Sequence, residues 1–219
     1  AAMNCVFNGL LDEKKIYKNN FIPPWPDDLG VTIGALYLAN QKYSAKKIKP
    51  KRLRSAYLGP SYNDNKILSI IKKFKIKYKK PKNLLVYTAG EIAKKKLIGW
   101  FQGKMEFTHR ALGNRSILAD PRGKSIQNTI NSAVKYRESF RPFAPSVLEE
   151  DAHKIFHLDK NMKIDFMEKA VKVRKNWRDK IPAVTHVDNT ARVQTVSKDY
   201  NKMFYKLLKE FKKQTNVPV

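Results

Sequence analysis

A chain of 219 residues with 42% hydrophobic content is long enough to bury a sizeable core, as one large domain or as one domain with part of another, and is not disordered. Its single cysteine, Cys5, excludes an internal disulfide framework and a multi-cysteine zinc site and points to the cytoplasm, and no apolar run approaches a membrane span or a signal region. Lys and Arg number 45 against 19 Asp and Glu, and the resulting +26 attracts polyanions. Lys72, Lys73, Lys75, Lys77, Lys79 and Lys80 nevertheless read as a solvated face, so nucleic acid is a rival ligand and not the favoured one.

Met3 to Phe7 is a short apolar stretch closed by Asn8-Gly9, a turn signal. Pro23-Pro24-Trp25-Pro26 is extended and rigid, and Asp27-Asp28 precede a helix predicted from Val31 to Asn40, where an acidic pair ordinarily caps the helix and balances its dipole. Residues 45–62 form a basic, aromatic connector. Asn63 or Asp64 caps the next helix, whose Ile67, Leu68, Ile70, Ile71 and Phe74 recur at helical spacing and are expected in the core. Leu84 to Tyr87 reads as a short strand or as the lead into a helix from Gly90 to Lys96.

Leu97, Ile98, Trp100 and Phe101 then read as a buried strand, followed by a loop with Gly103 and Gly113 that carries Arg110, Arg115 and Arg122, planar forks suited to phosphate or carboxylate oxygens. Ser125 to Lys135 reads as a helix with Ile126, Ile130 and Val134 on one face and Asn128, Asn131 and Ser132 on its surface. Lys135, Arg137 and Arg141 follow, which concentrates arginine in a Lys-rich chain. Glu149 to Leu158 reads as a helix with His153 and His157 at i and i+4; two imidazoles so spaced can share a metal, but without a third ligand a surface position is expected. Val184–Val187 and Arg192–Val196 read as strands around the turn Asp188-Asn189-Thr190, and a last helix, Asp199 to Thr215, buries Tyr200, Met203, Phe204, Leu207, Leu208 and Phe211. The fold class is α/β (α+β).

Three blocks, in order, resemble the C-terminal domain of the carbamoyltransferase family, which includes antibiotic and nodulation-factor O-carbamoyltransferases. They are residues 97–122, with Arg110-Ala111-Leu112-Gly113-Asn114-Arg115-Ser116; residues 134–148, with Lys135-Tyr136-Arg137-Glu138-Ser139-Phe140-Arg141-Pro142-Phe143-Ala144-Pro145; and residues 181–196, with His186-Val187-Asp188-Asn189-Thr190-Ala191-Arg192. Thr108-His109 stand where the family usually has Gly-Pro. The resemblance implies a YrdC-like domain with a mixed twisted sheet and flanking helices at 83–219, a connector and helix at 45–82, and at 1–44 the remnant of a Kae1-like domain of the actin-like ATPase superfamily.

What the resemblance implies chemically is ATP-dependent O-carbamoylation: carbamoyl phosphate and ATP give carbamoyl-adenylate in the C-terminal domain, and the other domain passes the carbamoyl group to the hydroxyl of an acceptor. By it, Lys135, Arg137, Arg141 and His186 are catalytic, while Arg110, Gly113, Asn114, Arg115, Ser146, Arg192 and Asn4 bind carbamoyl phosphate or ATP. Asp28 stands where the family places a carboxylate ligand of Fe2+, and Mg2+ accompanies the triphosphate. The family's iron-binding histidines and the segment that follows Val217-Pro218-Val219 are not in this sequence, so the chain is expected to be a fragment cut at both ends, with a homodimer left open.

Overall fold

The computed structural model describes residues 2–18, 20–49 and 55–219, so residues 50–54 of the expected connector lie outside the described residues. Helix α1, Cys5–Glu13, begins at Asn4, whose side-chain oxygen accepts from the amides of Val6 and Phe7, both at 3.1 Å. Asn8-Gly9 does not turn the chain. It lies inside α1 and is buried, because a Cβ on Gly9 would meet the Ala170 carbonyl oxygen at 2.1 Å and glycine alone lets the helix lie that close. Tertiary packing overrides the local turn preference there.

Asp27 caps α2, Asp28–Tyr43, which is longer at both ends than the predicted helix and buries none of its residues. Asn63 caps α3, Asp64–Lys73. Its apolar stripe is not core: Ile67, Ile70 and Phe74 are 42%, 42% and 66% exposed, since no other element covers that face among the described residues. The ambiguous stretch before the strand is a single helix, α4, Leu84–Ala93, capped by Asn83. Strand β1, Ile98–Phe101, pairs antiparallel with β2, Arg115–Leu118, and α5 follows over Ser125–Ala133.

The expected helix from Glu149 to Leu158 is broken. After β3, Ser146–Leu148, come a 3-10 turn, Glu149–Asp151, and a short α6, Ala152–Ile155; Phe156 then bridges Val173 and the His157 amide donates to the Lys172 carbonyl at 2.9 Å. Pairing with the neighbouring chain pulls His157 off the helix that carries His153, so the two imidazoles do not share a helical face. Strand β4, Ala170–Lys172, and the single turn α7, Lys175–Arg178, lead to a 3-10 turn, Pro182–Val184; the strand expected over Val184–Val187 does not form, since Val184 closes that turn and Val187 already belongs to the reversal that follows. The tight reversal predicted at Asp188-Asn189-Thr190 is present: Asn189 adopts φ 63°, and the His186 amide donates to Thr190 at 2.8 Å.

Strand β5, Thr190–Arg192, pairs antiparallel with β4; after the single residue Val193, β6, Gln194–Val196, pairs parallel with β3. Short strands and one-residue steps between partners therefore give three two-stranded sheets among the described residues, in place of one mixed twisted sheet. Helix α8, Lys202–Thr215, packs along α4 and buries Phe204, Leu207, Leu208 and Phe211 with Ile155, Phe156, Val173 and Val193, whereas Tyr200 and Met203, at 40% and 41% exposure, lie outside the core. The result is a mixed α/β protein of helices and small sheets.

Candidate functional site

The glycine-punctuated loop between β1 and β2 is organised by a residue of the opposite charge. Glu106, 4% exposed, accepts from the amides of Leu112 at 2.6 Å, Asn114 at 2.9 Å and Arg115 at 3.3 Å, and from Arg115 Nε at 3.0 Å. Burial pushes its carboxyl upward, but the donors from Asn114, Leu112 and Arg115 outweigh burial and hold it below the ordinary value. Gly113, at φ +102°, fits because a Cβ there would lie 2.2 Å from the Phe204 ring. Asn114 is buried against the Lys104 carbonyl, Gln102 and Asn201, and Ser146 Oγ donates to Gln194 at 2.9 Å while Gln194 donates to the Leu112 carbonyl at 2.8 Å. Gly113, Asn114, Arg115 and Ser146 thus build the loop and its support; the charge of Arg115 is answered by Glu106.

Arg110 projects from the same loop to the start of the chain. Its Nη1 donates to the carbonyls of Phe166, at 2.9 Å, and Met167, and its Nη2 to Met3 at 3.0 Å, so it staples the loop, α1 and the approach to β4 without meeting a carboxylate. Burial first, and then repulsion from Arg192, lower its pKa from the ordinary arginine value. Arg192, in β5, is lowered by burial as well, with Arg137 adding repulsion and the Cys5 thiol opposing it. Its buried Nε has no hydrogen-bond partner among the described residues, nor has the buried Nε2 of His186. Burial depresses the His186 imidazole, Asp188 opposes that and Arg192 reinforces it. Arg137 spends its Nε on Asn131, at 2.8 Å, and stacks 4.9 Å from the Phe143 ring centroid.

Arg192 therefore lies close enough to Arg110 and Arg137 for each to repel it, with Cys5 near Arg110 and Arg192 and His186 near Arg192; the unpartnered buried nitrogens of this half-buried group are Arg192 Nε and His186 Nε2. Guanidinium groups so placed suit an oxyanion of two or more charges, with Glu168 near Arg110 and Asp188 near His186 offsetting part of the positive charge. The remaining predicted residues stand elsewhere. Lys135 is exposed, Arg141 pairs with Glu138 at 2.7 Å on the surface, and the Asn4 side chain is occupied as the α1 cap. Arg122, the third arginine of the loop, is held by Asp120 at 2.6 Å. Phe101 is 54% exposed, and Trp100 is buried with its indole donating to the Gly113 carbonyl at 2.9 Å.

Asp28 is exposed at the first turn of α2, and no group of three or more His, Cys, Asp or Glu side chains able to hold a metal ion occurs among the described residues. The donor set present does not fit an iron site. Thr108-His109 ties the loop to the segment before α2: Thr108 Oγ1 donates to the Pro24 carbonyl at 2.5 Å, and His109 Nε2 meets the Asp27 carboxylate. No helix among the described residues is long and apolar enough to cross a membrane. Two open clefts of about 660 and 730 Å3 flank α1; both mix acids, among them Asp12 and Asp159, with lysines such as Lys15, and Arg137, Arg192 and His186 line neither.

Sequence reasoning missed Glu106, Asn131 and the position of Cys5. The signal for Glu106 was present: it is the one acid between Lys104, Arg110 and Arg115. Glu168, beneath Arg110, was missed too. It is 8% exposed, accepts from the Phe166 amide at 2.9 Å, and burial pushes its carboxyl up to about 7. The fold favours its protonated form, so its contribution is full below about pH 4.5 and fades as pH rises through about 7, by on the order of 3 kcal/mol. Glu168→Gln is expected to flatten the stability profile across that window in chemical denaturation at several pH values; an unchanged slope would count against the buried acid.

The carbamoyltransferase C-terminus family model matches residues 89–219, and the chain belongs to the carbamoyltransferase family. Over 222 residues it is 40% identical to nodulation protein NolNO of Sinorhizobium fredii, covering all of this chain and 32% of that protein. It is 37% identical over 222 residues to nodulation protein NolO of Bradyrhizobium diazoefficiens, covering all of this chain and 40% of that one. An uncharacterised protein of Methanocaldococcus jannaschii is 39% identical over 217 residues, 97% of this chain and 35% of its own length. The chain thus spans between about a third and two fifths of the length of these relatives.

Proposed function

We propose that this chain carries the carbamoyl-phosphate-activating part of an ATP-dependent O-carbamoyltransferase, in which carbamoyl phosphate, water and ATP yield carbamoyl-adenylate, inorganic phosphate and pyrophosphate, and the carbamoyl group passes to an acceptor hydroxyl with release of AMP. The observation that carries the reading is the group of Arg110, Arg137, Arg192 and His186, in which Arg192 Nε and His186 Nε2 have no partner among the described residues, in a chain of this family. Two phosphorylated substrates brought together need several fixed cations, and transfer between phosphoryl and carbamoyl groups gains more from charge stabilisation and alignment than from a protein nucleophile. Arg192 and Arg137 are assigned to the phosphate oxygens and Arg110 to the frame that holds them. His186, with its imidazole favoured in the neutral form, is assigned a hydrogen bond to the carbamoyl group. ATP is the second substrate, with Mg2+ on its triphosphate.

The domain assignment belongs to the same proposal. Residues 83–219 form the YrdC-like part, and residues 1–44 are the end of a Kae1-like part that meets it through α1, with Asp28 contributing to an iron site only together with ligands from outside this chain. Cytoplasmic location accompanies that reading. Calorimetric titration of the chain with carbamoyl phosphate at moderate salt tests it, with inorganic phosphate and Mg-ATP as comparisons. Saturable binding of carbamoyl phosphate in preference to phosphate is expected. Equal, weak binding of both, or RNA association that falls steeply with salt and displaces them, would favour a generic polyanion surface instead.

A further inference from the structure

The segment between α5 and β3 holds Lys135, Arg137 and Arg141 but has no helix or strand of its own. Its shape is set from below by two side chains of α5, the buried Asn131 and, at the edge, Gln127, whose Nε2 donates to the Ser139 and Arg141 carbonyls at 3.4 and 3.1 Å. Asn131 is 0% exposed on α5, whereas its neighbours Asn128 and Ser132 face solvent. A buried amide is costly unless all its groups are paired, and every group here is paired to the same segment. Asn131 Nδ2 donates to the carbonyls of Ser139 at 3.1 Å and Arg141 at 2.9 Å, and its Oδ1 accepts from Arg137 Nε at 2.8 Å. The Asn131 carbonyl also accepts from the Arg137 amide at 3.0 Å. The reversal this requires is taken up at Tyr136, with φ 47°.

The pairing has a directional effect. With Nε on Asn131 and its plane over Phe143, the guanidinium of Arg137 keeps both terminal amino groups without a hydrogen-bond partner among the described residues, and its charge is felt at Arg192. Glu138 also feels the charge of Arg137, but the Nε bond to Asn131 and the Phe143 ring fix the plane of the guanidinium. We propose that Asn131 is the positioning residue of the anion site, an amide that touches no ligand and fixes the 137–141 segment so that Arg137 meets the phosphate of carbamoyl phosphate. This rests on the functional reading above, and it adds the residue that pre-organises the site.

The test is a double-mutant cycle read by calorimetric titration of the chain with carbamoyl phosphate, with hydrogen exchange of the 136–141 segment followed alongside. Asn131→Ala is expected to weaken binding roughly tenfold to a hundredfold, the scale of one hydrogen bond to a charged group, and to speed exchange at the Arg137 amide. Arg137→Ala should lose a similar factor, and Asn131→Ala with Arg137→Ala should lose little more than either alone, because Asn131 acts through Arg137. Asn131→Asp keeps the acceptor for Arg137 Nε but sets an oxygen against the Ser139 and Arg141 carbonyls, so it too should bind weakly; the Arg137→Ala arm, which leaves the amide bonded to both carbonyls, guards against a variant that fails to fold. Losses that multiply in full, or wild-type affinity in Asn131→Ala and Asn131→Asp, would overturn the positioning role while leaving the site reading intact. Absence of binding by the unsubstituted chain would overturn both, and is recognised without any substitution.

Discussion

Arg192→Ala should weaken carbamoyl phosphate binding about a hundredfold and leave the melting temperature unchanged or raised, an unusual pairing for loss of a largely buried side chain. The reason lies in what Arg192 lacks. Its buried Nε has no partner among the described residues, its nearest charges include Arg137 and Arg110, and burial already disfavours its charged form. Removing it orphans no acceptor and relieves repulsion, so the fold loses only the packing of the side-chain stem. A ligand would lose a planar fork. Arg192→Lys restores the charge without the fork and should recover only part of the affinity. Titration and thermal denaturation of the same variants give the answer; an Arg192→Ala protein that binds as tightly as the parent would place the phosphate elsewhere, and one that melts far lower would make Arg192 a structural residue.

The opposite outcome is expected one loop away. Glu106→Ala should cost about 3–5 kcal/mol, because it leaves the amides of Leu112, Asn114 and Arg115 and the Arg115 guanidinium without their common acceptor inside the fold. Glu106→Gln keeps one oxygen and should cost less, about 2 kcal/mol. The carboxyl is held below its ordinary value in the native state, so its contribution is present above about pH 4.5 and is lost as pH falls further. Urea denaturation of the two variants and the parent at neutral and acid pH separates these effects. Equal stability of parent and Glu106→Ala at neutral pH would remove Glu106 from its place as organiser of the loop.

These two residues mark how far the sequence could be read. The caps at Asp27 and Asn63, the strand at Ile98–Phe101, the left-handed turn at Asn189 and most of the buried stripe of α8 follow from local chemistry, and the structure has them, while Phe101, Tyr200 and Met203 are more exposed than expected. The three motif blocks led to the family. Within the blocks, however, an arginine that binds a ligand and an arginine that holds a loop look alike. Arg115 and Arg192 differ only in whether a carboxylate from another part of the chain reaches them, and Glu106 reaches the first. Asn8-Gly9 and Asn131 were misread for a related reason: their partners, Ala170 and Glu168 in one case and Ser139 and Arg141 in the other, decide whether a polar or small residue is surface or core. The α3 stripe shows the converse, a correct helical periodicity whose cover is not among the described residues.

The staple made by Arg110 links carbonyls that lie 107 positions before it, at Met3, and 56 and 57 positions after it, at Phe166 and Met167. Closing loops of that length is entropically slow compared with forming α8 or the β1–β2 pair, whose partners are neighbours in the chain. The cationic cluster consequently has no local nucleus, and its long-range contacts are expected to form after α8 and the β1–β2 pair. On the function proposed above, competence to hold an anion is then a property of the finished topology, to which residues 3–13 belong together with the segment that carries the motifs.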